Sequence, residues 1–302
     1  MEAMLDGRCS GIGVPYGCGT SDQENAAIIE VKQVGRRPIS FELKALALLI
    51  KAWHDLTYEG MVTELRDHWS EFQRYGYDEI PSDTTLWRAM RLIPVSWFKK
   101  LNIELNKLFN GDGRWTGDST GFSTSTYIRW RDLTGNIESA KRVALKLHCL
   151  IQLPFLNIPC MEFTDGAAAD APILKRLVRQ LGMKDIEEIA LESAYLARWV
   201  CDMLAKRGVE SILIKPKRNA TAKSRGSQAW RRMILNYLKD KESFLEKYNA
   251  IRPMAETTIS SVKRTIAYWL RSRKRRMQRN EGYTCVIAYN IVRAVVNPLR
   301  LI

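Results

Sequence analysis

The sequence has no Cys-x-x-Cys pair; its six cysteines stand at 9, 18, 149, 160, 201 and 285. That spacing argues against a structural zinc site or a disulfide framework and fits a reducing, cytoplasmic setting. No apolar run approaches a membrane span. The longest, around Ala45–Ile50, is followed at once by Lys51, so no membrane partner is expected. The chain does not open with a basic segment followed by an apolar one, which argues against secretion. A P-loop and a G-x-G-x-x-G are both missing, and with them the usual signs of nucleotide hydrolysis and dinucleotide binding. Ser119 has no His/Asp pair near it in sequence, so a nucleophilic serine has no support. Internal repeats are not visible.

What is present is positive charge. The 302 residues carry a formal net charge of +14, and the sequence pI is about 9.6. A charge of that size favours a polyanionic partner, and nucleic acid ranks above a membrane surface because no lipidation motif or amphipathic basic helix stands out. Hydrophobic residues make up 46%, enough to bury the core of one large domain or two modest ones.

Residues 1–35 read as an arm without periodicity, rich in Gly, Ser and Cys over its first 30 positions. Residues 36–110 read as helical. Phe41–Trp53 is apolar nearly all round, as a buried helix would be, and a second helix is expected from Tyr58 to about Trp69. After the turn-like 75–81, Ser82 or Asp83 is a natural N-cap. Leu86, Met90 and Ile93 then share one helical face, leaving Thr84, Thr85, Arg88 and Arg91 on the others. This pattern suits a helix-turn-helix with 83–93 as recognition helix, and equally a plain helical bundle with a polar outer face.

From residue 111 to 302 the pattern becomes α/β. Strands are expected at Arg114–Asp118, at Thr126–Arg131 and over the alternating Val143, Leu145, Leu147, Cys149, Ile151 and Leu153, together a meander. A helix at 173–181, a strand at 186–191, a helix at 195–207 ended by Gly208 and a strand at 210–215 follow. Residues 216–247, a basic and mobile loop and then a helix from Gln228, read as an insertion before the last core helix, which Pro253 opens.

Three acids fall at element ends: Asp118 after the first strand, Glu192 after the strand at 186–191, and Glu256 in the first turn of the Pro253 helix. Taken singly, Asp118 suits a turn cap, Glu192 a surface acid, and Glu256 a favourable partner of the helix dipole. Taken together, carboxylates from two strand ends and a helix start can converge. Such a set suits hard cations like Mg²⁺ or Mn²⁺, two of which can serve in-line phosphoryl transfer. Asp170 is explained as well by capping the following helix, and His148 alternates with apolar neighbours as a structural histidine would. Arg271–Arg279 is a basic run that, with Lys263 and Arg264, can stripe along DNA phosphates; a solvated charged helix or loop is the alternative, and so one-sided a cluster favours phosphate contact.

The segments Gly117-Asp-Ser-Thr-Gly-Phe122, Leu191-Glu-Ser-Ala-Tyr195 and Arg252-x₃-Glu256-x₆-Lys263 resemble the three sequence blocks of DDE-type insertion-sequence transposases. The last block is similar to the Tyr-Arg-Glu-Lys signature of one bacterial and archaeal group, and the likeness covers about residues 80–295. It implies an RNase H-like mixed sheet flanked by helices (111–302, with the insertion around 216–247) and a helical DNA-binding region at 36–110. It implies Asp118, Glu192 and Glu256 as catalytic metal ligands for two Mg²⁺ or Mn²⁺ ions. Arg252 and Lys263 would position phosphates, and Arg264, Arg271, Arg273, Lys274, Arg275, Arg88 and Arg91 would touch DNA. The partners implied are double-stranded transposon ends and target, with a homodimer on DNA and a nucleoid-associated place in the cell. A related nuclease without strand transfer, or a catalytically silent DNA-binding derivative, are the alternatives. Two departures stand out. Glu192 replaces the usual aspartate, and three residues rather than two separate Tyr248 from Arg252.

Overall fold

The computed structural model describes residues 39–124, 144–181, 186–265 and 269–296. The arm at 1–35, the strand expected at Thr126–Arg131 and Tyr268 lie outside the described residues. The helical region begins as its capping residues dictate. Ser40 Oγ accepts from Leu43 N (3.2 Å) ahead of α1 (Phe41–Trp53). Thr57 Oγ1 accepts from Gly60 N (2.9 Å) ahead of α2 (Tyr58–Asp67), and a short α3 (Trp69–Gln73) follows. Ser82 caps α4 (Asp83–Leu92), accepting from Thr85 N at 3.1 Å, and α5 (Val95–Asn106) completes the set. Leu86, Met90 and Ile93 are buried and Arg88 and Arg91 exposed, as the helical spacing requires.

The sheet contains β1 (Arg114–Ser123), β2 (Ala144–Gln152), β3 (Asn157–Asp165), β4 (Glu188–Leu191) and β5 (Ser211–Ile214) in the order β3-β2-β1-β4-β5. The first three strands are antiparallel, and β1, β4 and β5 are parallel. Helices α6 (Asp170–Gln180) and α7 (Arg198–Lys206) supply the crossovers. This is the α/β, RNase H-like arrangement of a mixed sheet flanked by helices.

Three local expectations change. The strand after β2 lies at Asn157–Asp165, a segment buried along nearly its whole length; with both faces covered it shows no period-two alternation to read. Strand β1 runs on to Ser123, so Asp118 is inside the strand against Cys149 of β2. It nevertheless stands one residue beyond the end of the parallel pairing with β4 at Gly117–Leu191. The insertion carries two helices, α8 (Gln228–Lys239) and α9 (Lys241–Ile251), because Asp240 leaves helical geometry (φ −145°) and caps α9 through Ser243 N (2.9 Å). The loop before it is tied down: Trp230 Nε1 donates to Thr221 O (2.9 Å), and Ser227 Oγ to Asp202 Oδ1 (2.7 Å).

Two further helices, α10 (Pro253–Thr265) and α11 (Arg275–Val296), close the fold. The basic run therefore leads into a long helix, whose Gln278, Asn280, Glu281, Thr284 and Asn290 are buried. Those polar positions hide it from an apolar-periodicity reading. Helix α11 packs on β3 and on α1, α4 and α5, so one continuous core joins Leu48, Leu86 and Phe98 to Leu145, Phe163 and Val286. The other face of the sheet buries Trp115, Leu150 and Leu191 against α6, α7 and the insertion helices. Among the described residues no helix is long and apolar enough to cross a membrane.

Asn290 ties α11 to β3. Its Oδ1 accepts from Ile158 N (2.8 Å), while Nδ2 donates to Ile158 O (2.9 Å) and to Asn102 Oδ1 (2.8 Å). Asn290→Ala leaves Ile158 N without its acceptor, whereas Ile158 O keeps Asn102 Nδ2 at 3.0 Å, so the expected cost is about 1–3 kcal/mol for the one backbone group left unsatisfied. Urea denaturation reads the loss; an unchanged midpoint would show that the network does not bear on stability.

Candidate active site

Strand register brings the first two acids together. Gly117 pairs with Leu191 at the end of the parallel register, so the next residues are Asp118, still in β1, and Glu192, just past the end of β4. Gly117 allows the close approach, since a Cβ there would meet Leu191 Cδ2 at 2.8 Å and Leu150 Cδ2 at 2.9 Å. The third acid comes from the other direction. Arg252 continues α9 in helical conformation (φ −59°, ψ −42°), its N–H donating to Tyr248 O at 2.9 Å, and Pro253 starts α10 at once. Tyr248, Arg252 and Glu256 consequently recur every four residues along one helical face. The extra residue between Tyr248 and Arg252 keeps the tyrosine on that face.

The Arg252 guanidinium stands among the three carboxylates. Its Nη2 lies 3.4 Å from Asp118 Oδ2 and 3.8 Å from Glu192 Oε2, and its Nη1 lies 3.4 Å from Glu256 Oε1. The side chains of Asp118 and Arg252 are 12% and 10% exposed, whereas Glu192 and Glu256 are 51% and 71% exposed. One acid is thus enclosed and two stand exposed at the rim. Burial lifts the Asp118 pKa above the ordinary carboxylate range, against the opposing pull of Arg252 and of the Ser119 N–H; Glu192 and Glu256 add to the rise. That N–H donates to Asp118 Oδ1 at 2.7 Å. Tyr248 feels the same groups: burial raises its pKa, Arg252 lowers it, and the three acids raise it.

Lys263, two turns beyond Glu256, donates from Nζ to Gly121 O (2.8 Å), with its ammonium 5.4 Å from the Phe122 ring centroid. Burial lowers its pKa, and Asp118 counteracts that. In this conformation Lys263 fastens α10 to the C-terminal half of β1. Arg264 is exposed beside it. Arg88, Arg91, Arg271, Arg273, Lys274 and Arg275 lie elsewhere, at the junction of α4 with the start of α11. Among them, Arg271 is paired with Asp55 (2.7 Å), and Arg275 lies 3.6 Å from Asp165.

A second polar cluster involves residues that the sequence offered only one at a time. Asp170 does not cap α6; it is the first helical residue, and its Oδ1 lies 2.7 Å from Lys146 Nζ and 3.1 Å from His148 Nδ1. The other ring nitrogen of His148 is 2.8 Å from Thr164 Oγ1. Burial would raise the Asp170 pKa, but His148, Lys146 and Ser119 together hold it well below the usual range. Strand parity carries the clue, since Ser119 and His148 are paired across β1 and β2. The Ser119 N–H that aims Asp118 leaves no trace in the sequence, because any residue carries one.

The acids address one guanidinium, and among the described residues no group of acids, histidines or cysteines already forms a cation cage. Their donor set is nonetheless entirely carboxylate oxygen, converging where a positive charge already sits, with two of three members exposed at the rim. The Nε of Arg252 is buried without a hydrogen-bond partner among the described residues, leaving one donor unspent. These features fit hard divalent cations together with an anionic ligand.

The sequence matches the family described as "Transposase DDE domain" over residues 117–291, more than half of the chain. No curated protein matches. Among solved structures, a piggyBac transposase synaptic complex with hairpin DNA, determined by cryo-EM, aligns with 91% of this chain and 70% of its own, at 9% identity and a TM-score of 0.47.

With Arg252 removed, Asp118 stays buried without the guanidinium beside it. Arg252→Ala should therefore destabilise the chain by about 3–5 kcal/mol, the usual cost of breaking a buried pair from one side. Asp118→Asn in the same background should recover part of that loss. Additive effects in this double-mutant cycle would show that the two side chains do not interact.

Proposed function

The chain belongs to the family of transposases with a DDE domain, and we propose that it binds the ends of an insertion sequence and catalyses divalent-metal-dependent DNA cleavage and strand transfer. The observation that carries this reading is the convergence of Asp118, Glu192 and Glu256 on one cationic centre from β1, β4 and α10. In the proposed division of labour, residues 36–110 recognise DNA ends. Residues 111–302 do the chemistry, and the insertion at 216–247 delivers α9 to it.

Asp118, Glu192 and Glu256 would hold Mg²⁺ or Mn²⁺, two ions being expected, and bound ions would supply charge neutralisation and Lewis acidity at the reacting phosphate. The chain's own residues do the rest. Ser119 N–H aims the Asp118 carboxylate. Glu192 and Glu256, both exposed, swing onto the incoming site from its rim. Arg252, with a donor to spare, turns part of its guanidinium toward a phosphate oxygen and steadies the charge that develops there. Tyr248 presents a hydroxyl from the same helical face. Hydrolysis breaks a phosphodiester and frees a 3′ hydroxyl. That hydroxyl then displaces the 3′ oxygen of a target phosphodiester in a second in-line transfer, with no covalent bond to the protein. The +14 charge supplies affinity for both DNAs. A homodimer acting on paired ends in the cytoplasm completes the reading.

The test is cleavage and joining of a labelled duplex carrying the element's own ends, with Mg²⁺ or Mn²⁺. Asp118→Asn should abolish both reactions and leave DNA binding intact; retained cutting would sink the assignment. Glu192→Asp sorts the departure at that position. Cutting by both proteins makes Glu192 a working ligand, and cutting by the variant alone makes this chain an inactivated transposase. Cutting by neither, with binding intact, favours a DNA-binding role only. Cutting without joining identifies a nuclease.

A further inference from the structure

Helix α4 and the basic run are far apart in sequence but fastened together. The C-terminal carbonyls of a helix lack intrahelical donors, and here α11 supplies them. Asn280 Nδ2 donates to Met90 O (2.7 Å) and Ile93 O (2.8 Å), and Arg276 Nη2 to Leu92 O (3.3 Å). Asn280 is fully buried, so the joint is part of the core. The segment just before α11 is held as firmly. Glu281 accepts from the backbone N–H of Arg271 and of Ser272, both at 2.8 Å, and Arg271 forks onto Asp55 at 2.7 and 3.1 Å.

Across this joint the Trp87 ring gathers cations from both sides. The Arg91 guanidinium lies 5.2 Å from its centroid, and Lys274 Nζ lies 6.0 Å from it. Trp87, Arg273 and Lys274 line one cavity of ≈ 380 Å³. Arg88, Arg91, Arg273 and Lys274 are all exposed, and none has a carboxylate partner among the described residues. The nearby acids are already engaged: Asp55 by Arg271, Glu281 by backbone donors, and Asp165 by Arg275 and Arg279. Tied arginines mark the frame, and the four cations without a carboxylate partner mark a face offered to an anion.

We propose that Arg88 and Arg91 of α4 and Arg273 and Lys274 ahead of α11 form one phosphate-binding surface, organised by Trp87, which grips the backbone of a single stretch of duplex DNA. The partner follows from the chemistry: a row of exposed, unpaired cations on a rigid joint suits evenly spaced phosphates. Trp87 is a positioning residue, holding two flexible side chains by cation–π contact. The proposal rests on the DNA-binding reading above and adds that the two basic segments contact the same DNA.

The experiment measures binding of a labelled duplex of roughly one and a half helical turns, ~15 base pairs, against salt concentration. Arg88→Gln with Arg91→Gln, and separately Arg273→Gln with Lys274→Gln, should each lower the slope of log K against log salt by about 2. Trp87→Leu should weaken binding several-fold without changing charge, and this loss should shrink once Arg91 and Lys274 are already glutamine. Thermal denaturation of every variant separates loss of binding from loss of fold. An unchanged slope in either Gln pair would overturn the single surface while leaving DNA binding by the chain intact. A flat salt response of the unaltered protein would instead overturn the DNA-binding reading, and this surface with it.

Discussion

The candidate site depends on one buried charge and what surrounds it. Arg252 is inside the fold within 3.4–3.8 Å of carboxylates from β1, the end of β4 and α10. Three acids brought this close repel one another, and burial makes Asp118 costlier still to ionise. A guanidinium at the centre offsets both effects and gives all three side chains a common direction. The same requirement for positive charge suits the divalent ions of the proposed chemistry, which the three carboxylates would hold. Electrostatic need, rather than shape, relates the resting geometry to the proposed chemistry.

The surrounding architecture serves that convergence. Parallel register puts Asp118 beside Glu192, and the near-continuous passage from α9 into α10 lines up Tyr248, Arg252 and Glu256. Lys263 then fastens α10 to β1 through Gly121 O. On the opposite face of β1, Asp170 gathers Lys146 and His148 close to Ser119, whose N–H aims Asp118. The acid at the centre is therefore held from both sides of its strand.

Helix α11 does comparable work at longer range. It is enclosed by the N-terminal helices on one side and by β3 on the other, and its buried amides bond to both. Asn280 closes the end of α4, and Asn290 bonds to the backbone of Ile158. A helix that reads DNA and a sheet that cuts it would thereby share one core, so that orientation at the first bears on position at the second.

Much of this was open to reading in the sequence. The cap at Ser82, the helix opened by Pro253, the nearly all-apolar α1, the apolar face of α4 and the strand β2 are local consequences of side-chain chemistry and backbone period, and they appear where expected. The acids at 118, 192 and 256 were also recognisable, because their neighbours form three word-like blocks. Tertiary structure alone decided the rest. Strand β3 along most of its length and helix α11 over residues 280–290 are buried on both faces, and such burial erases the periodicity that marks an amphipathic element. The Arg252 contacts, the Asp170–Lys146–His148 cluster and the junction of α4 with α11 join residues distant along the chain. Local propensity carries no information about such pairs; they exist only once sheet register and helix packing have set which faces meet.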